Sequence, residues 1–233
     1  VHRVAKANNL PVAGVVEKHP RDPALDLARK SLAHIEKEVA DYTCQIIKQE
    51  RIRGELQPQE FIDAKIRNRK VKDGKVVVPL SVYMKFLNPQ GVKGREVIWV
   101  EGQNNDKLRA HEGGTLGKFA PSVWLDPDGP LAMRGQLHPI RDIGIENLVI
   151  KLIERGQAER NFPECEVKVI EGATINRRVC KVLQVIHPVK RPHFEFNRAE
   201  IFIDAEMNMP IRYAAYTWAD SAGEPEPLLE AYT

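Results

Sequence analysis

Apolar positions along this chain change period several times, and each change marks an element. Residues 1–21 mix Pro, His, Asn and charge with no period and read as a tail or extended arm. Asp22 then offers an N-cap and Pro23 an N1 residue. Leu25, Ala28, Leu32, Ile35 and Val39 follow at spacings of three and four, one stripe of a helix that packs on something apolar. From Tyr42 the period becomes two. Tyr42, Cys44 and Ile46 share one face, and Thr43, Gln45 and Gln49 the other. A second strand is expected over Glu60–Arg69, an Asp73-Gly74 hairpin turn after it, and a third strand over Val76–Leu87. Val97–Val100 is an unbroken apolar run inside the hairpin from Gly94 to Gly114. It reads as a mid-sheet strand with both faces covered.

Residues 113–140 lose all period. They are rich in Gly and Pro, yet carry Phe119, Trp124 and Leu125. Such a segment lies over an apolar surface, as a lid or binding loop does. A second helix is expected from about Arg141 to Gly156, with Gly156 as its C-cap. Four β-segments follow, Glu164–Thr174, Val179–His187, Glu195–Asp204 and Pro210–Trp218, then a last short strand near Leu228–Tyr232. The order is helix, meander, crossing loop, helix, meander. It predicts an α+β fold, one large curved antiparallel sheet with two main helices packed on it, and a single domain over residues 22–233.

Composition adds little. The 233 residues are 42% hydrophobic and 29% charged, with a net charge of +3, ordinary for a globular protein and weak for a nucleic-acid binder. No apolar run is long enough for a transmembrane helix. Three cysteines allow one disulfide at most. Cys165 and Cys180 face each other if their hairpin turns at Gly172-Ala173, and are separated if it turns at Asn176–Arg178.

The candidate chemistry is sparse. His111 and Glu112 invite a metal or acid–base reading, but adjacent strand residues point to opposite faces, and a structural hairpin end is favoured. Asp126 and Asp128 read as turn residues before Pro and Gly. His138, His187 and His193 have no ligand-spaced neighbour. The basic stretch Lys65–Lys75 either meets phosphates and anionic headgroups or protects a sheet edge, and the edge reading is favoured. No nucleophile–base pair, phosphate loop or metal spacing stands out, so no enzyme, cofactor or metal is expected.

Several blocks carry a resemblance. They are DYTC at Asp41–Cys44, KQER at Lys48–Arg51, VYMKFL at Val82–Leu87, GREVIWVEG at Gly94–Gly102, AHEGG at Ala110–Gly114 and LDPDGPLAM at Leu125–Met133. Together they resemble the fifteen-seventy-one family of uncharacterised bacterial domains, over about residues 25–232. The element order, and IFIDAEMNMPIRY at Ile201–Tyr213, are similar to the fold of LolA, LolB and RseB. That resemblance implies a half-barrel with a greasy cavity, an exported domain of the periplasm or cell envelope, and a lipid or lipoprotein acyl chain as ligand. It brings no catalytic residues. Tyr83, Phe86, Trp99, Phe119 and Trp124 either line such a cavity or fill the core. The resemblance and the Gly/Pro-rich segment make them the candidate ligand-binding residues. The alternative is a structural or protein-interaction domain of the envelope with a filled core and an envelope protein as partner.

Overall fold

The computed structural model describes residues 22–117, 119–159, 162, 164–221 and 223–233. The expected N-terminal tail lies outside the described residues. Helix α1 (Asp22–Glu38) comes first. Strands β1 (Asp41–Ile52), β2 (Glu55–Leu56), β3 (Glu60–Arg67), β4 (Lys70–Lys72), β5 (Lys75–Val78), β6 (Ser81–Asn88), β7 (Glu96–Val100), β8 (Leu108–His111) and β9 (Val123–Leu125) form the first half. A single helical turn, α2 (Gly114–Gly117), lies before β9. Helix α3 (Ile145–Ala158) then precedes β10 (Glu166–Ile175), β11 (Arg178–Ile186), β12 (Arg198–Asp204), β13 (Pro210–Tyr216) and β14 (Leu228–Tyr232).

One open antiparallel sheet runs in the order β10-β11-β12-β13-β14-β1-β3-β6-β7-β8-β9, with β2 paired to β1. The fold is thus α+β, with two main helices on a large antiparallel sheet. Its last strand joins the two wings. β14 pairs with β1 at Lys48↔Tyr232, Gln49↔Ala231 and Glu50↔Glu230, and with β13 on its other side.

Each wing buries its own cluster. Ile62, Ile66, Val82, Phe86, Trp99 and Leu108 belong to the first. Leu183, Phe196, Ala199, Ile201 and Tyr213 belong to the second, with Leu148 and Leu152 of α3 against them. A third cluster, Ala28, Ile35 and Val149, holds α1 to α3. The stripe expected on α1 is the one buried, as an amphipathic helix on a sheet requires.

Four expectations need correction. β7 does lie inside the sheet, between β6 and β8, but its outer face is open: Ile98 is exposed, flanked by Tyr83 and Arg109. The strand expected over Val76–Leu87 is two strands, divided at Pro79, which has no N–H for the ladder. Gly156 is not a C-cap. Helix α3 continues past it, and a Cβ there would lie 2.8 Å from Leu25 Cδ2, so the glycine lets α1 approach. The basic hairpin guards no sheet edge. β4 and β5 pair only with each other, between the central strands β3 and β6, and expose Val71, Val76 and Val77 among the lysines.

The cysteine question is resolved by register. The β10–β11 turn falls at Asn176-Arg177 and opposes Cys180 to Ala173, so the hairpin does not face Cys180 to Cys165.

Candidate functional site

The period-two pattern of β1 aims Tyr42, Cys44, Ile46, Lys48 and Glu50 into a single cavity of about 1060 Å³. The cavity is partly open and lies between the sheet and the two helices. Ile66, Met84 and Phe86 supply wall from one wing, and Leu183, Ala199 and Ile201 from the other. Leu25 and Ala28 of α1 and Leu148 and Leu152 of α3 close it from above. Cys44 is solvent-exposed because the cavity is open beside it, although burial still pushes its thiol up. At the rim, Ile145 N–H of α3 donates to Tyr42 Oη at 3.0 Å, which fixes the helix start over β1.

A buried polar stretch of wall sits where β14 joins β1. Glu50 is 3% exposed and Glu230 7%, and the two are cross-strand neighbours. Like charges so placed repel unless they are shared out. Lys48 Nζ lies 3.3 Å from Glu50 and 2.9 Å from Glu60, and donates to Gln136 Oε1 at 3.0 Å. Leu137 N–H donates to Glu50. His138 Nε2 is 2.7 Å from Glu230, and Tyr213 Oη donates to Glu230 at 3.1 Å. Tyr232 Oη reaches Glu50 at 2.6 Å and Glu230 at 2.9 Å. The bond to Glu230 holds the His138 imidazolium above its ordinary value. Burial alone would raise the Glu230 carboxyl, but His138 and the two tyrosines hold it lower than usual. Burial and the flanking carboxylates push the Tyr232 hydroxyl far up, so it stays protonated and keeps its one donor.

The segment expected as a lid supplies Gln136, Leu137 and His138 to this network, adds Ile140 to the first core cluster and packs Leu125 and Ala132 against it. Its Asp126 and Asp128 do make a turn, with Asp128 N–H donating to Asp126 Oδ1 and Arg141 2.7 Å from Asp128. His111 and Glu112 do not converge; Glu112 pairs outward with Arg95 at 3.1 Å.

Of the five candidate ligand-binding residues, the wall includes Phe86 alone. Tyr83 stands on the opposite face of β6, near Lys65. Trp99 is buried in the first core cluster, where its Nε1–H donates to Asp106 O at 3.2 Å. Phe119 is 87% exposed, and Trp124 lies under the Arg109 guanidinium on the surface. The five are not brought together. The polar wall was missed, though a signal existed: Lys48 and Glu50 continue the inward parity of Tyr42, Cys44 and Ile46.

A second buried cluster borders the cavity at the far end of α3. Glu159 Oε2 lies 3.0 Å from His187 Nε2 and 3.9 Å from Cys165 Sγ. Burial disfavours charge on His187, yet contacts with Cys165, Glu159 and the Phe196 carbonyl outweigh it and hold the imidazolium up to about 9.

Residues 39–233 match the family model for a protein of unknown function, DUF1571, and the chain belongs to that family. No curated protein matches it. Among solved structures, it is similar to a DUF1329 family protein from Desulfovibrio piger (13% identity, 88% of this chain and 76% of that one, TM-score 0.42). It is also similar to a putative outer membrane lipoprotein-sorting protein domain from Vibrio parahaemolyticus (12% identity, 89% and 88%, TM-score 0.38). A LolA superfamily protein from Nitrosomonas europaea matches at 8% identity, over 88% and 89% of the chains, with a TM-score of 0.27. No helix among the described residues is long and apolar enough to cross a membrane.

Proposed function

We propose that this chain is a non-catalytic carrier domain that holds an apolar ligand, a lipid or a lipoprotein acyl chain, against the concave face of its sheet. The carrying observation is the cavity itself. At about 1060 Å³ it matches the upper end of the volumes that small-molecule sites occupy, and the surface of its walls is mainly apolar. Interiors are otherwise close-packed, so a space of this size is a feature and not a packing fault. A domain with a filled core would lack it.

The chemistry of the wall refines the ligand. An amphiphile fits, its chain along Leu148, Leu152, Ala199 and Ile201 and its polar group near Gln136 and His138. The paired carboxylates do not argue for hydrolysis. Glu230 is held ionised by its partners, the state of an ion-pair member and not of a general acid. The periplasm or cell envelope, the setting implied by the resemblance to LolA, LolB and RseB, is part of the proposal.

Binding would come from moving methylenes out of water, about 0.8 kcal/mol each and so roughly fourfold in affinity per methylene. Competition against a dye-labelled fatty acid by unlabelled acids of increasing length tests this. Affinity should climb steeply with length until the cavity is filled. Affinity that does not depend on chain length would overturn the reading.

A further inference from the structure

We propose that Glu159, Cys165 and His187 form a binding site for a thiophilic divalent cation of the zinc type. Three donor atoms of different elements, one oxygen, one sulfur and one nitrogen, lie within 4.8 Å of one another. They are the single such group of three found among the described residues. All three residues are buried: Glu159 is 8% exposed, Cys165 7% and His187 0%.

Two of the three donor separations suit the ion, and the third is within 4.8 Å. Zinc bonds of roughly 2.0–2.3 Å at tetrahedral angles place N and O ligands about 3.4 Å apart and S and O ligands about 3.6 Å apart. The observed separations, 3.0 Å from His187 Nε2 to Glu159 Oε2 and 3.9 Å from Cys165 Sγ to the same oxygen, each need a shift of only a few tenths of an ångström.

The histidine is also prepared as a ligand. Its Nδ1 is 2.9 Å from Phe196 O, the carbonyl contact that fixes which nitrogen faces the metal. Its ring is stacked on Phe194 at a centroid distance of 3.9 Å and an interplanar angle of 8°. Its own carbonyl accepts bonds from Asn197 Nδ2 and Trp218 Nε1, both at 3.0 Å. An imidazole clamped this way has its rotamer set before any ion arrives.

The donor set selects the metal class. Thiolate and imidazole favour zinc over calcium or magnesium, and a thiolate with a carboxylate neutralises a dication in a buried place. Glu159 and Cys165 also line the large cavity, so a fourth coordination position would face it. The ligands come from three separate places: the C-cap of α3, the approach to β10 and the exit of β11. A bound ion would tie the helix end to the sheet and stabilise the chain by mass action.

The test uses the untagged chain, stripped with a chelator. Zinc(II) is titrated by calorimetry and cobalt(II) by absorbance. One equivalent should bind, and the cobalt form should show a thiolate charge-transfer band. Cys165→Ser should abolish that band and weaken zinc by more than about tenfold, since even outer-shell changes cost 10–100-fold. Cys44→Ser and Cys180→Ser should change neither. If Cys165→Ser fails to fold by circular dichroism, Glu159→Gln takes its place, with the same loss of affinity expected. No stoichiometric binding, or binding that survives the change of a ligand, would overturn the proposal.

Discussion

Tyr232 Oη lies 2.6 Å from the Glu50 carboxylate and 2.9 Å from that of Glu230, so one hydroxyl proton serves two facing anions. This contact spans 182 residues of chain and sits on the seam where β14 joins the two wings. Removing it should open the seam electrostatically. Tyr232→Phe leaves both carboxylates buried with one fewer donor, and should cost about 1–3 kcal/mol. Urea unfolding measures this. Adding Glu50→Gln should recover part of the loss by removing one of the two facing charges. A double variant less stable than Tyr232→Phe would show that repulsion is not the issue.

The same wall should set a pH dependence. The groups facing His138 are Glu230, Glu50 and Lys151. His138 is held above its ordinary 6.5, so its contribution is complete below that value and fades as pH rises through the raised one. Glu230 is held below its ordinary 4.5, so its contribution is complete above that value and fades as pH falls through the lowered one. The pair is fully in place between the two ordinary values. The stability gap between the wild type and His138→Gln should be largest near about pH 5.5 and shrink toward about pH 9. A gap that stays flat would contradict the ion pair.

Gly113 should be intolerant of any side chain. A Cβ there would lie 2.1 Å from Lys93 O and 2.5 Å from Gly94 Cα, both backbone atoms that cannot swing aside. Gly113→Ala should destabilise by about 3 kcal/mol or more, the upper range for forced overpacking. A thermal melt unchanged by this substitution would contradict the close approach of the two loops.

The aromatic residues should divide by position. Phe86→Ala should weaken binding of an acyl probe, because Phe86 is part of the wall. It should also destabilise by about 3–5 kcal/mol, since the ring is 2% exposed. Trp99→Phe loses the bond to Asp106 O and should lower stability while leaving probe affinity unchanged. Trp124→Ala, at a residue 47% exposed, should do little to either. Equal loss of affinity across all three would move the site away from the cavity.

These divisions show what the sequence could and could not carry. The stripe on α1 and the alternation through Tyr42, Cys44 and Ile46 fixed the packed faces, because period alone decides which way a side chain points. The Asp126-Pro-Asp128-Gly turn was legible for the same local reason. Period does not say whether an inward aromatic meets a core or a void. Phe86 and Trp99 look alike in the chain and differ only in what packs against them. The facing of Glu50 and Glu230 depends on β14 entering between β13 and β1, a pairing with no local signature. The grouping of Glu159, Cys165 and His187 is hidden likewise, since it arises where a helix end meets the open end of a hairpin.

Native mass spectrometry of the delipidated chain, offered a fatty acid of about sixteen carbons, tests the central claim most directly. Ligand bound to a specific concave site saturates at one copy, and a residue that fills the site should compete with it. The wild type should carry one copy, and Leu148→Trp, which fills the cavity from α3, should carry none while keeping the wild-type circular dichroism. A bare mass for the wild type, or equal loading of both proteins, would contradict a carrier built around this cavity.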